Sequence, residues 1–168
     1  TYIGDDAFRL HRLETIDLSQ LSALTYIGNA SFAGLLGSMP TQTNLILPNS
    51  CDLRMIGNSA FGNVRITTPV LDFSACTQLN HIGSSAFQFA TPTLIVFPPN
   101  SLITYIGLEA FANAPLTTLD LGTLPNLEFI GQGAFRRTRF AELDFSQTPK
   151  LTHIGTAAFQ TNGNLINI

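Results

Sequence analysis

The sequence predicts a solenoid of stacked coils, and three observations support this fold class. A phrase of the form Ile-Gly-x-x-small-Phe occurs seven times, and its glycines lie 24, 29, 26, 24, 24 and 24 residues apart. A short apolar alternation precedes the phrase at a constant distance. The chain is 45% hydrophobic and only 11% charged, which is enough apolar material for a continuous core. Because one unit of this length cannot bury its apolar face alone, the copies are expected to stack.

The first element of each coil is predicted to be a short strand with one buried face. Leu119 and Leu121 flank Asp120 with a period of two residues, and the second apolar residue lies ten positions before the motif glycine. We expect the six strands to form one parallel sheet, with neighbours roughly 4.7–4.9 Å apart. The six segments are residues 16–18, 45–47, 71–73, 95–97, 119–121 and 143–145.

The second element is a turn that begins at the motif glycine. This glycine is expected to permit either a tight turn or a close packing that a Cβ atom would prevent. The residues that follow are too few for an independent helix, so a single helical or 3-10 turn is predicted to place the Phe in the core. Stacked across coils, the seven Phe are predicted to form a spine that is structural rather than functional.

The combined frame Leu-x-x-Leu-x-Leu and Leu-x-x-Ile-Gly-x-x-Ala-Phe, clearest in residues 116–135 and repeated in 140–159, resembles the BspA-like, or Treponema-type, leucine-rich repeat. The resemblance covers essentially the whole chain. It implies a leucine-rich-repeat solenoid of right-handed coils, with a parallel β-sheet on the concave face and short helical or 3-10 turns opposite. It also implies a secreted or cell-surface protein, because members of the family are mostly large surface or secreted proteins that bind matrix proteins, other cells or each other.

The domain prediction is a single array over residues 1–168, of about seven coils truncated at both ends, from a longer chain. Leu165 to Ile168 resemble the start of another coil. The long interval between Gly28 and Gly57 predicts an insertion near residues 35–42, either a binding loop or a bulge that packs on its own coil. No apolar run approaches the roughly 18 residues of a membrane helix, and a net charge of −3 argues against nucleic acid as a partner.

The outward residues of the predicted strands form a column that we call the Asp column. One hypothesis makes it a partner-binding concave face, and the alternative is an ordinary solvated face. Only Asp120 and Asp144 are carboxylates on adjacent strands, whereas calcium needs six to eight oxygens, so no metal is predicted. The Asp column consists of Asp17, Ile46, Asp72, Val96, Asp120 and Asp144.

The residues that precede the Ile-Gly pairs form a second column, which we call the ring column. It is expected either to shield the flank of the coils or to contact a protein or glycan. His81 and His153 lie three coils apart, roughly 15 Å, which is too far to share a metal. His11 has another phase, so no catalytic constellation and no cofactor are predicted. The ring column consists of Tyr2, Tyr26, Met55, His81, Tyr105, Phe129 and His153.

Three smaller features have alternative interpretations. Cys51 and Cys76 have nearly equal phase in adjacent coils, so either a disulfide or two free thiols is expected. The basic cluster of Arg136, Arg137 and Arg139 is either solvated or a site for an anion such as a sulfated glycan. Asn29-Ala30-Ser31 is an N-glycosylation sequon, relevant only in a eukaryotic secretory pathway.

These observations favour a non-enzymatic binding or adhesion module that recognises an unidentified protein or glycan through the concave sheet and flank. The alternative is a structural spacer or a self-assembling rod, because low charge offers little repulsion between stacked ends.

Overall fold

The computed structural model describes residues 1–34 and 42–163, and it confirms the predicted solenoid of parallel strands with almost no helix. Residues 35–41 of the insertion predicted near 35–42, and the predicted further coil at 165–168, lie outside the described residues. The elements are β1 (Tyr2–Ile3), β2 (Thr15–Asp17), β3 (Tyr26–Ile27), β4 (Gln42–Ile46), β5 (Met55–Ile56), β6 (Arg65–Ile66), β7 (Val70–Asp72), β8 (His81–Ile82), β9 (Leu94–Val96), β10 (Tyr105–Ile106), a 3-10 turn at Leu121–Thr123, β11 (Phe129–Ile130) and β12 (His153–Ile154).

The longest sheet is built by the ring column and not by the Asp column. Its seven two-residue strands follow the order β1-β3-β5-β8-β10-β11-β12, all parallel, and each ring-column residue pairs with the next. The motif glycine extends this ladder, since the N–H of Gly107 donates to the carbonyl of Ile82 at 2.8 Å. The continuous sheet was predicted at the wrong position of the coil, because strands of two residues show no alternation in the sequence.

Close packing explains the motif glycines. A Cβ atom on Gly107 would lie 2.5 Å from the backbone nitrogen of Ser84 in the preceding coil, Gly28 and Gly131 are equally tight, and the shortest distance at Gly57 is 2.7 Å. Real Cβ atoms essentially never approach that closely. The one described glycine with a positive φ is Gly133, which is not a motif glycine. Of the two roles expected for the motif glycine, the structure therefore supports coil-to-coil contact.

The turn after each motif glycine contains residues with a left-handed backbone conformation, which the sequence does not predict. Glu109, two positions after Gly107, has φ 52°, and Asn113, six positions after it, has φ 63°. The turn keeps bonds between residues three apart, such as Ala110 N–H to the Gly107 carbonyl at 3.3 Å, but the left-handed residues prevent a regular helical turn. The left-handed residues two positions after a motif glycine are Asp6, Ala30, Ser59, Ser85, Glu109, Gly133 and Ala157. Those six positions after a motif glycine are Leu10, Asn63, Phe89, Asn113, Arg137 and Thr161.

The predicted Phe spine forms the core. Its rings stack with centroids 5.2–5.4 Å apart and nearly parallel planes, from Phe8 in the first coil to Phe159 in the last. Phe61, Phe87, Phe111 and Phe135 are fully buried, whereas Phe8 is 43% exposed. The spine is therefore scaffold in every described coil.

The predicted six-stranded sheet is wrong in extent. Strands β2, β4 and β6 form one sheet, β7 and β9 form another, and a single bridge joins Leu94 to Thr118. Pro69 separates β6 from β7 and has no N–H to donate, so the ladder cannot continue through it. In the fifth coil Asp120 caps the 3-10 turn at Leu121–Thr123, which replaces the predicted strand. The predicted strand at residues 143–145 is wrong as well, since no described strand lies between β11 and β12.

Candidate binding face

The Asp column points outward as predicted, and its carboxylates are engaged by their own backbone. Asp17 Oδ1 accepts the N–H of Ser19 at 2.9 Å, and Asp144 Oδ1 accepts that of Ser146 at 2.8 Å. Asp72 and Asp120 accept the corresponding N–H from Ser74 and Gly122 at 2.9 and 3.0 Å. Each of these Asp side chains thus makes an Asx turn with the residue two positions later, a role that needs no partner.

These hydrogen bonds also affect ionisation. The bonds from Ser19 hold the pKa of Asp17 below its ordinary value, and those from Ser146 do the same for Asp144, because both favour the charged form. Both side chains are exposed. The two carboxylates are therefore negative at neutral pH.

The gap between the two short sheets creates an opening that we call the first opening. It has a volume of about 380 Å³, between the β4 end of one coil and β7 of the next. Ile46, 37% exposed, lies on one side, and Val70 and Asp72 lie on the other. The buried Oγ1 of Thr68, which lines the same opening, has no hydrogen-bond partner. Where the sheet is interrupted, the apolar side chains of Ile46 and Val70 are therefore exposed, and the hydroxyl of Thr68 lacks a hydrogen bond.

A second opening of about 210 Å³ follows β9, where only the Leu94 to Thr118 bridge continues the ladder. Val96 lies on one side, and Asp120 lies on the other together with Thr118 and Thr123. Both openings therefore pair a β-branched apolar residue of the Asp column with the Asp of the following coil. The structure brings Ile46 to Asp72 and Val96 to Asp120, and places Asp17 and Asp144 outside either opening.

The ring column forms a stacked strip in the C-terminal half of the array. Centroids of His81 and Tyr105 are 4.5 Å apart, those of Tyr105 and Phe129 are 4.9 Å apart, and those of Phe129 and His153 are 4.5 Å apart, all with nearly parallel planes. Burial lowers the pKa of His81 because it penalises the charged imidazolium. The strip is half-buried between His81 and Phe129 and becomes exposed at His153.

Tyr26 belongs to a different arrangement in the N-terminal half. Its hydroxyl donates to Asp5 at 3.2 Å, and Asn29 Nδ2 donates to the other Asp5 oxygen at 3.1 Å. Burial and the nearby Asp5 carboxylate raise the pKa of Tyr26, and the bonds from Asn29 lower that of Asp5. Tyr26 is therefore engaged in a local network and does not join the ring stack.

A ladder of polar side chains beside the motif glycines was not predicted from the sequence. The side chain of Asp5 accepts the backbone N–H of Asn29 at 2.7 Å, Asn29 accepts that of Asn58 at 2.8 Å, and Asn58 accepts that of Ser84 at 2.8 Å. The signal was present, since three successive coils carry Asp or Asn directly after the glycine. The ladder satisfies N–H groups between coils and is structural.

The basic cluster is also held by neighbouring coils. Arg136 contacts Glu109 at 2.7 Å, Gln88 donates to the other Glu109 oxygen at 2.6 Å, and Arg137 donates to Asn113 at 3.4 Å. Two of the three arginines thus bridge turns of adjacent coils. This geometry favours the structural interpretation over an anion site.

Cys51 and Cys76 are joined as a buried disulfide between adjacent coils, with Cα atoms 4.6 Å apart. The N-glycosylation sequon is not accessible in the folded chain, since Ser31 is fully buried and Asn29 Nδ2 donates to Asp5.

Within residues 1–34 and 42–163 there is no group of three or more His, Cys, Asp or Glu side chains that could hold a metal ion. The same residues contain no helix long and apolar enough to cross a membrane.

The comparison with protein families agrees with the geometry. The model described as "BspA type Leucine rich repeat region" matches in six copies, over residues 1–124 and 80–168. Six copies agree with the structure, because six full turns of the solenoid lie between the first and the last of the seven parallel strands. Neither a curated protein nor a solved structure matches the chain. The matched residues cover the whole array, and the chain therefore belongs to the BspA-type leucine-rich-repeat family.

Proposed function

We propose that this chain is a non-enzymatic binding module of a secreted or cell-surface protein, and that it recognises a protein or glycan through the Asp column and the adjoining flank. The family supplies the general part, because its repeats often serve in protein binding or adhesion, are generally not enzymes, and are typical of surface or secreted proteins. The new element of the proposal is that a protein or glycan partner binds at the Asp column and the adjoining flank.

The observation that carries this proposal is that each of the two openings pairs an apolar residue with an exposed Asp, where Ile46 is exposed and Val96 is half-buried. Ile46 and Val96 gain nothing from water, yet each lies outside the core beside a carboxylate of the next coil. Exposed apolar groups beside polar ones are typical of interaction surfaces. A partner that covers both openings would bury the apolar groups and complement the negative charges.

The test is capture of extracellular proteins and glycans on arrays by the purified chain, with the double variant Ile46→Ser and Val96→Ser. Binding should fall sharply in this variant. Leu102→Ser is the matched control, because Leu102 is a 42% exposed apolar residue outside both openings. If the intact chain captures nothing, or if Leu102→Ser weakens capture as much as the double variant, the proposal is wrong.

The second candidate is a structural spacer or self-assembling rod. It is favoured by the low charge of the chain, since only 11% of its residues are charged and offer little repulsion between stacked coils. Sedimentation across a concentration series separates the two candidates. A rod that self-assembles grows with concentration, whereas the binding module stays monomeric.

A further inference from the structure

We propose that the outward face across β4, β7 and β9 docks a basic amphipathic α-helix of a partner protein. This inference rests on the proposed binding function and deepens it, since it states the conformation, the charge and the side-chain spacing of the bound segment. The reasons are an apolar patch on this face, a row of carboxylates along it, and a coil spacing that matches the spacing of side chains on a helix.

Four apolar side chains, Ile46, Val70, Leu94 and Val96, form a continuous surface that we call the apolar patch. Ile46 and Val70 are 37% and 36% exposed and line the first opening together. Val70 is the ladder partner of Leu94, and the next pair of the same two strands brings Val96 beside Asp72. Leu94 and Val96 are half-buried and line the second opening. The two openings are therefore parts of one apolar surface.

Exposed carboxylates of the Asp column border the apolar patch. Asp72 lies within it, and Asp120 lines the second opening at one end. Asp17 is the ladder partner of Ile46 at the other end. Arg65 of β6 pairs with the first residue of β4, at the opposite end of that strand from Ile46. The patch therefore has negative charge along the solenoid axis, which complements a basic segment.

The coils beneath this face are evenly spaced, even where the sheet is interrupted. Across the first opening Thr67 N–H donates to the Thr43 carbonyl at 2.9 Å, and the Cα atoms of the disulfide are 4.6 Å apart. A partner therefore lies on the face and not between the coils. At the usual strand spacing of roughly 4.8 Å per coil, Asp72 and Asp120 lie roughly 10 Å apart along the axis.

An α-helix laid along the solenoid axis matches this spacing. Side chains three or four residues apart on one helix face are separated by about 5 Å along the helix, and those seven apart by about 10.5 Å. Basic residues seven apart would face Asp72 and Asp120, and an apolar residue between them would cover Val96. An extended segment repeats its side chains about every 6.7 Å and loses this register within two coils. The alternation of acidic and apolar residues in the Asp column thus favours a helix.

The first experiment uses the peptide acetyl-AKAQLAQAKAQLAQAKAQKAQ-amide, in which Lys and Leu follow the order of acidic and apolar residues in the Asp column. On titration of the purified chain with this helical peptide, the peptide should gain helical circular dichroism. The methyl NMR signals of Ile46, Val70 and Val96 should shift. Those of Leu102, which is 42% exposed but lines neither opening, should stay in place.

Two control peptides keep the same charge. One contains the same residues in an order that distributes Lys and Leu around the helix, and the other has Pro in place of two central Ala residues and cannot form the helix. Both should bind about tenfold more weakly, because neither places Lys and Leu on one helix face. Equal binding of either control, no binding at millimolar peptide, or shifts confined to residues outside the apolar patch would each overturn the proposal.

Substitutions in the chain test the charges. The double variant Asp72→Asn and Asp120→Asn keeps the Oδ1 atoms that accept backbone N–H groups but removes both charges. It should weaken the helical peptide about two- to twentyfold and reduce the salt dependence of binding. The matched control, Asp52→Asn with Glu128→Gln, removes two exposed carboxylates outside both openings and should change binding less than about twofold. Equal weakening by the two double variants would mean that net charge alone attracts the peptide, which would contradict the docking site.

The outcome also separates this inference from the proposed function. If array capture depends on Ile46 and Val96 while the helical peptide does not bind, the chain is a binding module and the helix-docking inference is wrong. If the helical peptide binds with the expected effects of the variants but no protein or glycan is captured on arrays, the docking face stands and the wider proposal fails.

Discussion

Replacing the central motif glycine by alanine, Gly107→Ala, tests the reason for the repeated phrase. The new Cβ atom would lie 2.5 Å from Ser84 N, about 0.9 Å short of the 3.4 Å at which ordinary contact begins. The atom in the way is backbone and cannot rotate aside. The two coils must separate locally, which strains the 2.8 Å hydrogen bond from Gly107 to Ile82. Overpacking and the weakened bond together should cost about 2–5 kcal/mol in the free energy of unfolding.

The assay is urea and thermal unfolding followed by circular dichroism, with Gly4→Ala as the matched control. Gly4 occupies the same position in the first coil, but a Cβ atom there meets nothing within 4 Å. The melting temperature should fall by about 5–15 °C for Gly107→Ala, and the control should stay within about 0.5 kcal/mol of the parent. Equal stability of the two variants would refute the argument that coil contact selects glycine.

Four further predictions follow from the same geometry. Ser85→Gly should raise the free energy of unfolding by about 1 kcal/mol, because Ser85 has φ 53°, and chemical denaturation measures it. Phe111→Ala should cost about 3–5 kcal/mol in the same assay through lost burial and the resulting cavity; an unchanged midpoint would contradict the spine. Because burial lowers the pKa of His81, the unfolded chain binds that proton more tightly, so stability should fall as pH decreases through about 6.5, and His81→Tyr should reduce this slope in pH-dependent melts. Reducing the disulfide between Cys51 and Cys76, 25 residues apart, should cost about 3.5 kcal/mol in denaturant titrations with and without reductant; no difference would mean that the bond does not restrain the unfolded chain.

The core could be predicted from the sequence because its signal repeats. The seven Phe and the inward Leu and Ile positions recur at fixed distances from the motif glycine, and a stacked array can bury them in only one way. The same fixed distances placed Asp72 and Asp120 on one outward column. The position of each residue relative to the motif glycine was sufficient to assign it to the core or to the outward column.

The hydrogen bonding of the coil could not be predicted in the same way. Asp120 caps a 3-10 turn, whereas Asp17 makes the same side-chain bond at the end of a strand, so the local sequence does not decide between strand and turn. The left-handed residues at Ser85 and Glu109 are imposed by bonds to the next coil, which no local propensity reveals. The two openings arise from which strands fail to pair, a property of neighbouring coils together.

Residue-resolved amide hydrogen exchange on the free chain tests the central claim most directly, namely that the ring-column sheet is continuous and the Asp-column sheet is interrupted. We expect slow exchange at Gly57, Gly83 and Gly107, whose N–H groups donate to the preceding coil, and fast exchange at Val70 and Asp72, which line the first opening. Equally slow exchange at both sets would mean that β4 and β7 are paired. That result would contradict the interruption of the Asp-column sheet.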